Sequence, residues 1–191
     1  MAIHDKLEVR IFVKGRPVHE YDVPEHLQND FANIQDADTK PGPTVQACIE
    51  SVPGENFAVE CRMVEGFKFA PNEALSFAMR IDGKDVVRPL AFKAEYENGH
   101  GWCDIIDGAS ITSRGSSQKS KFRFESLRVD AGMSKQKFSP KEVAKIGSVQ
   151  VVVRRKKVLK QTEVGRSNSS FSEVKVAEQH LKGRATDSRT R

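Results

Sequence analysis

From Leu7 to Val13 the chain alternates, with Leu7, Val9, Ile11 and Val13 apolar and Glu8 and Arg10 between them. A period of two over seven residues predicts a strand with one buried face. The same period recurs as Val45, Ala47 and Ile49, then Phe57, Val59, Cys61 and Met63, then Leu75, Phe77, Met79 and Ile81. Pro53 and Gly54 between the first two of these predict a joined strand pair. Asp82 and Gly83 predict a two-residue hairpin into Lys84–Val87, because such turns need positive φ and glycine adopts it without strain. Further strands are expected over 90–96 and 102–112, in KFRFESLRV after a flexible RGSSQKS, and at Val149, Val151 and Val153. Residues 14–17 and 98–101 read as turns, and 19–43 as a long polar loop with at most one helical turn.

Helical periodicity is scarce. Ser139, Pro140 and Glu142 supply an N-cap, a proline at the first helical position and a carboxylate three residues after the cap, and Gly147 closes the helix. After Lys160 the composition turns to Gly, Ser, Asn and charge, with a short helix expected over 172–182. About eight short strands separated by turn signals predict a mainly all-β chain, an antiparallel β-sandwich of two sheets with one short helix before the last strand. The domain occupies 1–160; residues 161–191 form a flexible, basic, partly helical tail that protease should remove first.

Composition narrows the class. With 38% apolar and 30% charged residues in a chain of 191, one core is the expectation, and nowhere do eighteen apolar residues run together as a membrane span requires. Charges at Asp5, Lys6, Glu8 and Arg10 interrupt any leader-like apolar run. Cys48, Cys61 and Cys103 are odd in number and far apart, which favours reduced thiols inside the cell, in cytoplasm or nucleus. The net charge of +5 divides unevenly: residues 1–110 carry 11 cations against 19 anions, and 111–191 carry 20 against 7. A basic second half fits an acidic protein, nucleic acid or anionic membrane as partner, unless the two halves fold together and their charges offset in space.

The segments LEVRIFVKGRPVHEY, SVPGENFAVECRM, LSFAMRIDGK, KFRFESL and IGSVQVVVRR, followed by LKGRA in the tail, resemble a fungal family known as a domain of unknown function. The resemblance covers roughly residues 3 to 160 and, separately, 181–185. It implies a fungal origin and a β-rich fold, and no activity. Where the family continues LKGRA with Leu-Ser-His, this chain has Thr186, Asp187 and Ser188.

Candidate chemistry is sparse. His100 and Cys103 in HGWC approach a Cys/His unit, but a zinc site needs four ligands and no second pair is spaced to supply them, so neither metal nor cofactor is expected. Asp104 and Asp107 could share a cation, although aspartate before glycine is ordinarily a turn residue. Phosphate-binding loops and nucleophile elbows are absent as motifs. Phe122 and Phe124 alternate with Lys121 and Arg123; one strand would put the rings on one face and the cations on the other, which favours core over base stacking. Trp102 reads likewise as core or rim.

The valines at 149, 151 and 153 run into Arg154, Arg155, Lys156 and Lys157, with Lys160 beyond. Continued alternation would point Arg155 and Lys157 into the core, so the strand is expected to leave the sheet or pass its edge near Arg154. Replacing the four cations should then leave stability nearly unchanged. Such a patch suits phosphates, an acidic protein or an import receptor, and equally a solvated strand end that discourages edge pairing. Two functions remain open: a non-catalytic interaction module using these cations on an acidic protein or nucleic acid, and an enzyme with its site in the loops around 98–107.

Overall fold

In the computed structural model of the chain, the described residues are 2–25, 42–70, 73–99, 101–113, 116–126, 129–130, 139–157 and 176–177. Strands in chain order are β1 (Ala2–His4), β2 (Leu7–Val13), β3 (Arg16–Pro17), β4 (Glu20–Tyr21), β5 (Cys48–Ile49), β6 (Phe57–Met63), β7 (Glu73–Ile81), β8 (Lys84–Val87) and β9 (Leu90–Phe92). Helix α1 (Lys93–Asn98) precedes β10 (Trp102–Ile106), β11 (Gly108–Ser113), β12 (Ser116–Lys121) and β13 (Val129–Asp130). Helix α2 (Pro140–Lys145), β14 (Val149–Lys157) and β15 (Val176–Ala177) complete the described elements.

Two antiparallel sheets hold the core, a five-stranded one ordered β1-β2-β6-β10 with β3 also on β2, and a four-stranded one ordered β14-β7-β8 with β9 also on β7. The alternation seen in the sequence decides which side chains meet. Val59, Cys61 and Met63 of β6 and Leu75, Phe77 and Met79 of β7 are essentially inaccessible, and they join Ile11, Val86, Ala91 and Ile106 in one cluster. Trp102 of the first sheet stacks on Phe77 of the second with ring centroids 4.8 Å apart, so the sheets pack face to face. Asp82 and Gly83 take φ of 51° and 74°, the paired left-handed geometry of a tight hairpin, and a Cβ at Gly83 would run into the Lys145 side chain of α2. Helix α2 begins as its cap predicts: Ser139 Oγ accepts from Glu142 N–H at 3.3 Å and Glu142 returns a carboxylate oxygen to Ser139 N–H at 2.7 Å.

Four expectations need correction. Residues 42–47 are not a strand; Val45 is exposed, and the two residues of β5 pair with β4 rather than with β6. The stretch expected as strand 90–96 stops at Phe92 and becomes α1, because Glu95 turns back to accept the Phe92 N–H at 3.2 Å while Tyr96 is drawn into the core. The strand expected over 102–112 is two, β10 and β11, broken at Asp107. RGSSQKS is largely β12, paired along its length with β11, whereas KFRFESLRV contributes a single bridge, Arg123 to Asn56, among its described residues outside Lys121, which ends β12, and β13. Its rings still go inward: Phe122 and Phe124 stack on Phe57 at 5.5 and 4.5 Å. Of the tail, the described Val176 and Ala177 pair in parallel with β13; the rest of the helix expected over 172–182 lies outside the described residues.

Candidate docking surface at the end of the last core strand

Strand β14 does not leave the sheet at Arg154. It stays opposite β7 through Lys157, with Arg154 facing Ser76, Arg155 facing Leu75, Lys156 facing Ala74 and Lys157 facing Glu73. Strand parity correctly places Arg155 on the core side; it does not reveal the partners that make this tolerable. Arg155 Nη1 reaches Glu73 Oε2 at 2.6 Å and the Lys68 carbonyl at 3.2 Å, and its guanidinium carbon lies 5.1 Å from the Phe67 ring centre. A long side chain can lie along apolar surface while its planar charge finds a carboxylate, a carbonyl and a π face at the sheet's end.

Those partners are built by neighbouring elements. Glu73, the first residue of β7, also accepts the Ala70 N–H at 2.8 Å. Phe67 is fixed from the other side: its N–H donates to the Tyr96 hydroxyl at 2.8 Å, which donates to the Val64 carbonyl at 3.0 Å, and Phe67, Phe69 and Tyr96 pack their rings together. The helix α1 that the alternation pattern failed to predict therefore braces the ring under Arg155. Tyr96 and Glu73 carried no motif that could have marked them.

Around this anchor the other cations are differently placed. Arg154 is half-buried, Lys156 and Lys157 are exposed, and among the described residues no carboxylate pairs with any of the three. Arg154 and Lys156 project on the face away from the core, and Lys157 on the core side beyond it. Lys160 lies outside the described residues. Elsewhere charges of the two halves of the chain do meet, as in Lys119 with Asp107 and Arg155 with Glu73.

Around the alternative site at 98–107, the described residues run from the end of α1 through β10 to Asp107. His100 lies outside the described residues. Cys103 sits mid-strand in β10, its Sγ 3.5 Å from Glu60 Oε1, and partial burial together with that carboxylate pushes its thiol pKa up. This favours the thiol over the reactive thiolate. Cys61 faces the core and burial drives it to about 12. Asp107 is paired with Lys119, which holds its carboxyl below the usual carboxylate range. Among the described residues no three His, Cys, Asp or Glu side chains gather as metal ligands, and no helix is long and apolar enough to cross a membrane.

Residues 6–191 match the family described as Domain of unknown function (DUF7918), and the chain belongs to that family. The match runs through the segment that the sequence sets apart as a tail. No curated protein matches the chain, and no solved structure does.

Proposed function

We propose that this member of the DUF7918 family is a non-catalytic binding module whose cationic strand end contacts an acidic partner, protein or nucleic acid. The observation that supports the reading is the division of labour at 154–157. Arg155 is committed to Glu73, while Arg154, Lys156 and Lys157 are held extended beside it without carboxylate partners among the described residues. The sheet fixes the spacing of their backbone, so on binding only the side chains remain to be ordered. Their charge is then available to an anion, and neutralising phosphates would release counterions and depend steeply on salt.

The test is binding of the full chain to two labelled probes, a glutamate-rich peptide and a single-stranded oligonucleotide, across a salt series. At least one should bind at low salt, and Arg154→Gln/Lys156→Gln/Lys157→Gln should weaken it; for the oligonucleotide the log–log salt slope should flatten by roughly 0.7 for each phosphate that the variant no longer neutralises. Failure of both probes to bind, or unchanged binding by the triple variant, would overturn the reading.

A further inference from the structure

The backbone of β14 offers more than its charges. Asp82 N–H donates to the Ser148 carbonyl at 3.0 Å, one step before the Val149–Ile81 pair. In an antiparallel ladder hydrogen-bonded pairs alternate, so Gln150, Val152, Arg154 and Lys156 bond to β7. The Phe77 N–H, opposite Val153, points the other way and donates to the Pro89 carbonyl at 3.0 Å, as this phase requires. The N–H and C=O groups of Val149, Val151, Val153, Arg155 and Lys157 therefore face the far edge, with which no strand pairs among the described residues.

Resting on the binding-module reading, we propose that this edge accepts an extended peptide as an added strand. Its acidic half would lie beside 154–157 and its apolar half beside 149–153. Charge complementarity chooses the occupant. The unpaired cations alternate across the two faces of the strand, Arg154 and Lys156 on one and Lys157 on the other, which is the period of side chains on a neighbouring strand. A single-stranded nucleic acid calls instead for cations beside aromatic platforms; Phe122 and Phe124 are spent on Phe57, and Phe67 is buried beneath Arg155. The Arg155 side chain is drawn across to Glu73 on β7, so it leaves the free edge clear. Val149, Val151 and Val153 are half-buried and pack against the core from the edge, leaving apolar surface for β-branched residues of the guest.

The experiment uses the full chain and a short labelled peptide, glutamates followed by alternating valine and threonine, which an antiparallel guest would align with its acids beside 154–157. A second peptide carries backbone N-methyl groups at alternate residues. The parent should bind, the charge variant Arg154→Gln/Lys156→Gln/Lys157→Gln should bind about tenfold more weakly at low salt, and the N-methylated peptide should lose about tenfold or more, since its donors to the edge are gone. Val151→Pro removes an outward N–H without touching the β7 ladder and should weaken the parent peptide; if that variant does not fold, the methylated peptide carries the same test. Equal binding of parent and methylated peptides would overturn strand addition while leaving an acidic partner standing. Binding of the oligonucleotide but not the peptide would overturn it in favour of nucleic acid. Self-association that rises with concentration and is lost in Val151→Pro would make a second copy the occupant instead. If neither probe binds, both this inference and the function beneath it fail.

Discussion

Residues 149–153 and 154–157 of β14 lie opposite β7 in one unbroken register, the first stretch against Ile81 through Phe77 and the second against Ser76 through Glu73. Val149, Val151 and Val153 of the first stretch pack on a cluster that includes Met79 and Phe77, both fully inaccessible. In the second, Arg155 on the core side is satisfied at the sheet's end, while Arg154 and Lys156 point away from the core and Lys157 lies beyond it. Strand pairing and side-chain duty are thus separable. A backbone can continue in register past the point where hydrophobic burial stops stabilising it, provided the first inward charge finds partners.

Breaking the valine side of the comparison should have the largest effect. Phe77→Ala removes the ring that faces Val153 and stacks on Trp102 and leaves a cavity between the sheets, with an expected loss of about 3–5 kcal/mol in denaturant melts. Breaking the anchor should matter less. Arg155→Gln leaves the Glu73 carboxylate, 10% exposed, with the Ala70 N–H and no guanidinium; because the arginine itself is half exposed, about 1 kcal/mol is expected. The Arg155–Glu73 contact thus sets this variant apart from the expectation that replacing all four cations leaves stability nearly unchanged.

The link between hairpin and strand can be probed by pH. Asp82 Oδ1 accepts the Gly147 N–H at 2.7 Å, tying the β7–β8 turn to the entry of β14, and burial pushes its pKa above the ordinary 3.8 although the Gly147 bond and Lys84 act against it. The folded state then holds the proton more tightly than the unfolded one, so this group makes stability fall as pH rises from 3.8 through the raised value. Asp82→Asn should remove that contribution, so its stability relative to the parent should rise across the same window; a constant difference would show that Asp82 titrates normally. The smallest effect is expected for Arg154→Gln/Lys156→Gln/Lys157→Gln, about 0.5 kcal/mol or less, since these side chains have no carboxylate partner among the described residues.

Where burial followed local alternation, the sequence was legible. β2, β6, β7 and the valines of β14 fall where period two put them, β8 follows the Asp82-Gly83 turn as that signal led, and the Ser139 cap carries its own sign in Pro140 and Glu142. The failures share a cause: long-range partners decided the conformation. Residues 90–96 alternate acceptably, yet Tyr96 finds Val64 and Phe67, some thirty residues away, and the chain coils after Phe92 to deliver it. RGSSQKS looked like a linker because Ser and Gly dominate it, but Gly108 is needed where the opposite backbone at Ser120 comes too close for a Cβ, and that close approach forms the β11–β12 pair. At the candidate site the four cations were visible as a run. Which of them is structural depends on Glu73 and Phe67, far away in sequence.

The central claim is that Arg155 belongs to the fold and its neighbours to a partner, and it is tested most directly by measuring melting temperature and binding to the glutamate-led peptide on the same samples of two variants. Arg155→Gln should melt lower yet keep most of its affinity, while Arg154→Gln/Lys156→Gln/Lys157→Gln should melt as the parent does and bind about tenfold more weakly at low salt. The reverse pattern, with affinity lost in Arg155→Gln and stability lost in the triple variant, would contradict the account.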